Sequence, residues 1–297
     1  MLWEFVNFYL IPGLVLGCIY GLGAIGVTLL FGILRFAHFA HGDMMTLGAY
    51  LALPLVLVLG LPVLVAMPVA AVGTIAIAIA IDRWCYRPFR KSATIITVIA
   101  SFGVALMARS LIQLFWGPGN QNYVSGISRP MVLFDWLRIQ PRHMLIILAT
   151  VALVVALQVF LTRTRAGKAM RAMSDDPDLA RLSGISTERT IAWTWVLGAG
   201  LAAVGGVFLA MDTQLSSMLG WNMILPMFAE ALLGGVGKPL GAMAGGLIIG
   251  MGEELITYPW FGGVPLLPPS YKAAVAFAIL IALLMFRPQG LFKGKLL

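Results

Sequence analysis

Nine apolar runs, each near twenty residues, divide this chain and decide what it can become. They cover 13–34, 39–59, 62–81, 94–116, 143–162, 190–210, 222–236, 239–257 and 271–286. A helix needs about 20 such residues to cross the roughly 30 Å hydrocarbon core of a bilayer. Within that core every backbone N–H and C=O must be paired internally, which leaves only helices and closed barrels. The runs are far longer than the ~10-residue segments of barrel strands. The expected fold is therefore all-α: a polytopic integral membrane protein of eight or nine transmembrane helices, one transmembrane domain over 1–297. The run 222–236 is short and leads into "GGVGKPLG", so it reads as a broken or re-entrant helix.

Composition agrees. Hydrophobic residues make up 60% of the chain and charged residues 11%, against about 25% charged in soluble domains. The opening "MLWEFVNFYLIPG" has no basic start and runs into a long span, unlike a cleaved signal peptide. The cationic residues then set orientation, because short cytoplasmic loops collect Lys and Arg. Arg35, four residues in 82–92, six in 163–189, Lys238 and three after Phe286 fall on one side. Arg129, Arg138, Arg142 and Lys272 fall on the other. Fifteen against four puts the N-terminus outside and the C-terminus inside, which demands an odd number of crossings and favours nine. The net charge of +8 reads as this bias, not as nucleic-acid binding, since the basic residues form no single stripe.

Several chemistries are excluded. A phosphate-binding loop requires G-x-x-x-x-G-K-[ST]. Gly167-Lys168 and Gly237-Lys238 lack both the upstream glycine and the following hydroxyl. The chain holds no nucleotide motor of its own, and no HExxH, GxSxG or paired-cysteine spacing anchors an enzymatic activity. Cys18 in a span and Cys85 in a basic connector imply neither disulfide nor metal site. A proton-driven carrier would bury several carboxylates along its spans. Glu253 and Glu254 lie near a membrane surface and read as interfacial, which leaves Glu230 as the odd intramembrane acid. Rows of glycine at Gly13, Gly17 and Gly21, and at Gly241, Gly245, Gly246 and Gly250, read as close helix packing.

One stretch breaks the apolar pattern: "LRFAHFAHGDMMTLGAY" at 34–50. Ionisable groups in a membrane cost at least ~2.5–3.5 kcal/mol on insertion scales and usually face a bundle interior or water. Arg35 can reach the headgroups. The three- and four-residue spacing puts His38, His41 and Met45 on one helical face, whereas Asp43 lies on another and is placed to cap or pair with a neighbouring helix. Gly42 permits close approach. These residues either tie the second helix into the bundle or line a translocation path or gate, with Glu230. Broken-looking segments near 35–45 and 234–241 suit a path at the midplane. Arg109, inside a span, needs a partner: Glu230, Asp212 or a helix C-terminus.

The longest polar stretch, 163–190, carries helix punctuation. Asp176 suits the N-cap, Pro177 the first helical position, Asp178 the positive end of the dipole and Gly184 the position past the C-cap. A helix of about seven residues does not persist alone. It must dock on something, and the acids Asp175, Asp176 and Asp178 favour a protein partner over anionic headgroups.

At this point the chain resembles the permeases of branched-chain amino acid ABC importers (the LivH type). Gly167, Arg171-Ala172, Asp175-Asp176 and Gly184-Ile185 match the order of that family's cytoplasmic loop. Phe39-Ala40-His41-Gly42-Asp43 and Gly48-Ala49-Tyr50 match its opening motif, with His38 standing where the family usually has Asn. "YRPFRKS", Ser101-Phe102-Gly103 and "LGGVGKPLGAMAGG" complete the likeness across nearly the whole chain. The resemblance implies a second permease subunit, two ATPase subunits on the cytoplasmic face, a periplasmic substrate-binding protein and the bacterial inner membrane. It implies no cofactor in this chain, ATP being used by the partner subunits. Gly167, Arg171, Asp175, Asp176, Pro177 and Gly184 would then form the ATPase-coupling element. Permeases for urea or short amides share these motifs. An autonomous channel or secondary carrier, or a sensory membrane protein, are the readings from other classes.

Overall fold

The computed structural model describes residues 2–90, 92–123, 130–133, 137–260, 265–287 and 290–292. Eleven helices carry the fold: α1 (Trp3–Leu34), α2 (His41–Leu57), α3 (Val63–Phe89), α4 (Thr94–Trp116), α5 (Pro141–Arg163), α6 (Arg165–Asp175), α7 (Pro177–Leu182), α8 (Thr187–Asp212), α9 (Leu219–Gly234), α10 (Pro239–Leu255) and α11 (Pro269–Phe286). A short antiparallel hairpin, β1 (Met131–Leu133) and β2 (Leu137–Ile139), precedes α5. It is tied to α1 where the Arg138 backbone N–H donates to Asn7 Oδ1.

Six of these helices, α1, α3, α4, α5, α8 and α11, are long and apolar enough to cross a membrane. The other three expected spans form helices of 16 or 17 residues, α2, α9 and α10. At 1.5 Å per residue they measure roughly 25 Å. The chain is therefore a multi-pass helical membrane protein, as its runs imply. The expected connector 82–92 is shorter than supposed, because α3 continues through it to Phe89 by way of a π turn and a 3-10 turn.

Burial sorts the spans. α1 and α8 are enclosed, while α3, α4, α5 and α11 expose most of their surface. Val65, Val69 and Val72 on α3 and Val151, Val155 and Val159 on α5 point outward with no polar rim, as suits contact with lipid tails. The two central helices run antiparallel, with Gly26 beside Gly198 and Ile19 beside Gly205. Around them the halves of the chain repeat one another. α2 and α3 pack on α8 as α9 and α10 pack on α1, and α2 meets α3 and α4 as α9 meets α10 and α11. This repeat, not visible in the sequence, carries an inverted sense because α1 and α8 are antiparallel.

The glycine rows perform as expected. A β-carbon at Gly17 would stand 2.8 Å from the Leu247 Cα, so α1 and α10 touch backbone to backbone. In a bilayer such close approach supplies the van der Waals contact that hydrophobic burial cannot.

Charges separate by end of the bundle. Arg87 and Arg90 meet Glu188 at the start of α8, and Arg90 also pairs with Asp82. At the opposite end Arg142 and His143 meet Asp212, and Lys272 pairs with Glu254. Of the basic residues used to orient the chain, Lys91, Arg129, Lys293 and Lys295 lie outside the described residues.

Candidate translocation and coupling sites

Two helices begin inside the bundle instead of at its surface. α1 ends at Leu34, where Arg35 adopts φ 57° and reverses the chain. Residues 35–40 then fold back along α1, so that His41, the first residue of α2, donates from Nε2 to the Gly23 carbonyl at 3.2 Å. Gly23 lies about three turns, roughly 16 Å, before the end of α1. On the other side of the bundle, residues 213–218 turn back after α8. The Gly220 N–H in the first turn of α9 donates to Thr46 Oγ1 at 2.9 Å. Gly42 and Gly220 are thereby pressed together, and a β-carbon on either would strike the other's backbone.

This geometry corrects two expectations. His38 does not share a helical face with His41, because it precedes α2 in the non-helical 35–40 segment. Its Nε2 shares a 2.9 Å hydrogen bond with the Tyr86 hydroxyl, and its ring stands edge-on to Trp195. Arg109 does not pair with Glu230, Asp212 or a helix C-terminus. Its guanidinium donates to both carboxylate oxygens of Asp43 at 3.1 Å and lies 4.5 Å from the centre of the Trp221 ring. Asp43 therefore does join a neighbouring helix, as its direction on α2 implied. The pair is buried, with Asp43 wholly enclosed, so the charges compensate each other where water does not reach.

An aromatic stripe borders the pair. Phe39 stacks on Phe102 at 4.2 Å between centres, and touches Phe228, while Phe102 meets Trp221. The Phe39 N–H donates to Ser101 Oγ. The segment thus rests on α4 and α9 through apolar rings and one ion pair.

Glu230 is fully buried on α9, and neither of its oxygens has a hydrogen-bond partner. It does not approach the His38–Asp43 segment by any hydrogen bond or ion pair; Glu253 on α10 is the acid whose charge reaches it. Glu253, expected at the membrane surface, lies two residues from the end of α10 but faces into the bundle. It is buried and accepts from the Tyr20 hydroxyl at 3.1 Å, whereas Glu254 pairs with Lys272. At this same, loop-bearing end, Tyr123 donates to the Ala49 carbonyl at 2.7 Å. Burial, with a smaller contribution from Tyr50, pushes its phenol above the ordinary range and keeps it a donor. Among the described residues no group of three His, Cys, Asp or Glu could hold a metal ion.

The segment 163–190 folds into two helices, not one. Thr164 caps α6 by accepting from the Gly167 N–H, and Gly167 sits against the Phe160 and Leu161 backbone where no side chain fits. α6 is a mostly polar helix that buries one face through Gly167, Met170 and Met173, a pattern the sequence reading passed over. α7 spans six residues, and Asp176 Oδ1 caps it by accepting from the Asp178 and Leu179 N–H groups at 3.0 Å. Gly184 follows at φ +80°. One face of α7 is anchored by Ala180, while Leu179 and Leu182 are 61% and 85% exposed. Sequence reasoning also missed Tyr20 and Trp195, ordinary residues of apolar runs, and Tyr86, Gly220 and Trp221, which lie in the connectors between runs.

Residues 9–284 match the family model described as branched-chain amino acid transport system / permease component. The chain belongs to that permease family. The permease is 33% identical to the high-affinity branched-chain amino acid transport system permease protein BraD of Pseudomonas aeruginosa, covering 95% of this chain and 94% of that one. It is also 33% identical to LivH of Escherichia coli K12, over 94% and 92% of the two chains. A structure of PsaBC from Streptococcus pneumoniae in complex with Fab shares its fold with TM-score 0.54 and 16% identity, over 97% of each chain. The permease thus spans its relatives nearly end to end.

Proposed function

We propose that this permease is the membrane-spanning subunit of an ATP-binding-cassette importer that moves branched-chain or closely related amino acids across a bacterial inner membrane. It crosses nine times, with its N-terminus outside and its C-terminus in the cytoplasm. A second permease subunit completes the pore, two ATPase subunits dock on the cytoplasmic face, and a periplasmic binding protein delivers substrate.

One observation carries the reading: a helical bundle without a nucleotide site presents, on its cation-rich end, a short capped helix whose leucines face outward. Six residues do not hold a helix in water unaided. The Asp176 cap and the packing of Ala180 preserve its shape, and an ATPase groove would cover Leu179 and Leu182. Gly167, Arg171, Asp175, Asp176, Pro177 and Gly184 form and orient this element. Its motion passes to the bundle through α6 and α8, which it joins.

The gate lies at the paired helix starts. His38, His41, Gly42 and Asp43 belong to the segment that returns into the bundle, and Gly220 meets Gly42 across from it. Separating α2 from α9 opens a route beside Phe39, Phe102 and Trp221, whose rings suit an aliphatic side chain. Glu230 sits further along α9 as a second buried polar point. The substrate class follows the names of the relatives, BraD and LivH.

The test places a cysteine at Leu182 in a Cys18→Ser, Cys85→Ser background, in cells carrying the whole transporter. Labelling by a membrane-impermeant thiol reagent is expected only after the membrane is opened, with cross-linking to an ATPase subunit and intact leucine uptake. Labelling from outside intact cells would overturn the topology, and absence of any ATPase cross-link would overturn the coupling role.

A further inference from the structure

Beside the coupling helices, on the same end of the bundle, a cavity of about 700 Å³ opens between α1, the end of α5, α6 and the start of α10. Its walls are largely apolar: Leu29 and Ile33 of α1, Leu161 of α5 and Leu240 of α10 line it, with Thr28 and Gln158 among them. Leu29 lies more than one turn inside the end of α1, so the cavity reaches below the level where that helix stops. Its mouth carries three cations from separate stretches of chain, Lys168 and Arg171 on α6 and Lys238 just before α10. None of the three has an ion pair among the described residues, and all three are exposed. Among the described lining residues Asp175 is the one acid; Asp176 and Asp178, which with it were expected to disfavour anionic headgroups, do not line the cavity.

We propose that this cavity is a binding site for one anionic phospholipid, the phosphate headgroup held by Lys168, Arg171 and Lys238 and an acyl chain lying over Leu29, Leu161 and Leu240. Charge complementarity and shape both point to a lipid. Basic pockets between membrane helices on the cytoplasmic side recruit anionic headgroups. A soluble anion needs no apolar floor, and a folded cytoplasmic domain does not reach below the helix ends. α5 forms one wall and exposes Val155 and Val159 on its outer face, while Leu240 on the opposite wall is half exposed, so the site borders the bilayer and acyl chains have a path into it.

The inference rests on the reading of this end as cytoplasmic, where the anionic leaflet lies. The assay separates the two, because nanodiscs carry the same lipid in both leaflets. The assembled transporter is exchanged into nanodiscs of phosphatidylcholine with or without phosphatidylglycerol, released, and weighed by native mass spectrometry. One phosphatidylglycerol per permease is expected to stay bound through release, and phosphatidylcholine none. Lys168→Gln, Arg171→Gln and Lys238→Gln together should weaken retention roughly 100-fold, whereas Arg163→Gln, Arg165→Gln and Arg189→Gln together should leave it unchanged. If the first triple variant does not assemble, Leu240→Trp fills the floor with the charges intact and is expected to lower retention as well. Equal retention in the variants and the parent, equal retention of phosphatidylcholine, or displacement by millimolar inorganic phosphate would each overturn the proposal.

Discussion

Replacing Asp43 with Asn leaves the Arg109 guanidinium buried without a counter-charge. Arg109 makes three N–H···O contacts of 3.1 Å to Asp43, and its side chain is only 11% exposed. Breaking such a pair from one side costs about 3–5 kcal/mol, because the remaining charge is stranded. Trp221 beneath the guanidinium retains about 0.5–2 kcal/mol of cation–π attraction, so the lower part of that range, about 3 kcal/mol, is expected for Asp43→Asn. Arg109→Met strands the carboxylate instead and has no compensating ring, so it should cost nearer 5 kcal/mol. The double variant removes both charges and should cost no more than the ~1–3 kcal/mol of an unpaired buried amide. The coupling energy of the cycle is therefore at least ~5 kcal/mol. Unfolding of the purified protein by sodium dodecyl sulfate in mixed micelles, followed by tryptophan fluorescence, measures all four corners. Single variants below about 1 kcal/mol, or a double variant whose cost equals their sum, would show that the pair does not hold α2 to α4.

Gly42→Leu drives a side chain into the Gly220 backbone, where neither helix can yield, and should cost at least ~3 kcal/mol; protein yield and leucine uptake in whole cells both fall, and normal uptake would mean the helix starts are not in contact. Tyr20→Phe leaves Glu253 without its 3.1 Å donor and should cost about 1–3 kcal/mol in the same micelle assay, while Tyr9→Phe, partly exposed, should be near neutral. Asp175→Lys with Asp176→Lys removes the α7 cap and reverses its charge, so ATPase turnover should persist while uptake is lost in proteoliposomes; unchanged uptake would remove α7 from the coupling path. Asp176→Ala alone deletes the cap, costs about 1 kcal/mol, and should lower uptake partially, an effect checked against Asp176→Asn, which still caps.

Much of this protein could be read without coordinates. Long apolar runs force helices because unpaired backbone groups are intolerable in hydrocarbon, and that constraint is local to each run. The α7 cap at Asp176, the turn at Gly184 and the close approach of the glycine rows followed likewise, since each depends on a few neighbouring residues. Asp43 was directed toward another helix by its place on α2. Its partner was not legible: Arg109 is 66 residues away, and nothing local along the chain points from one to the other. Nor was the start of α2 at His41, since the backward path of residues 35–40 is set by α1, Tyr86 and Trp195 together. The sequence by itself determined a helical membrane bundle, its polar interruptions and the capped short helix after Asp176, all consequences of hydrophobicity and short-range hydrogen bonding. Only the tertiary structure decided which helices begin inside the bundle and which buried charges meet, because those depend on the packing of segments that are remote along the chain.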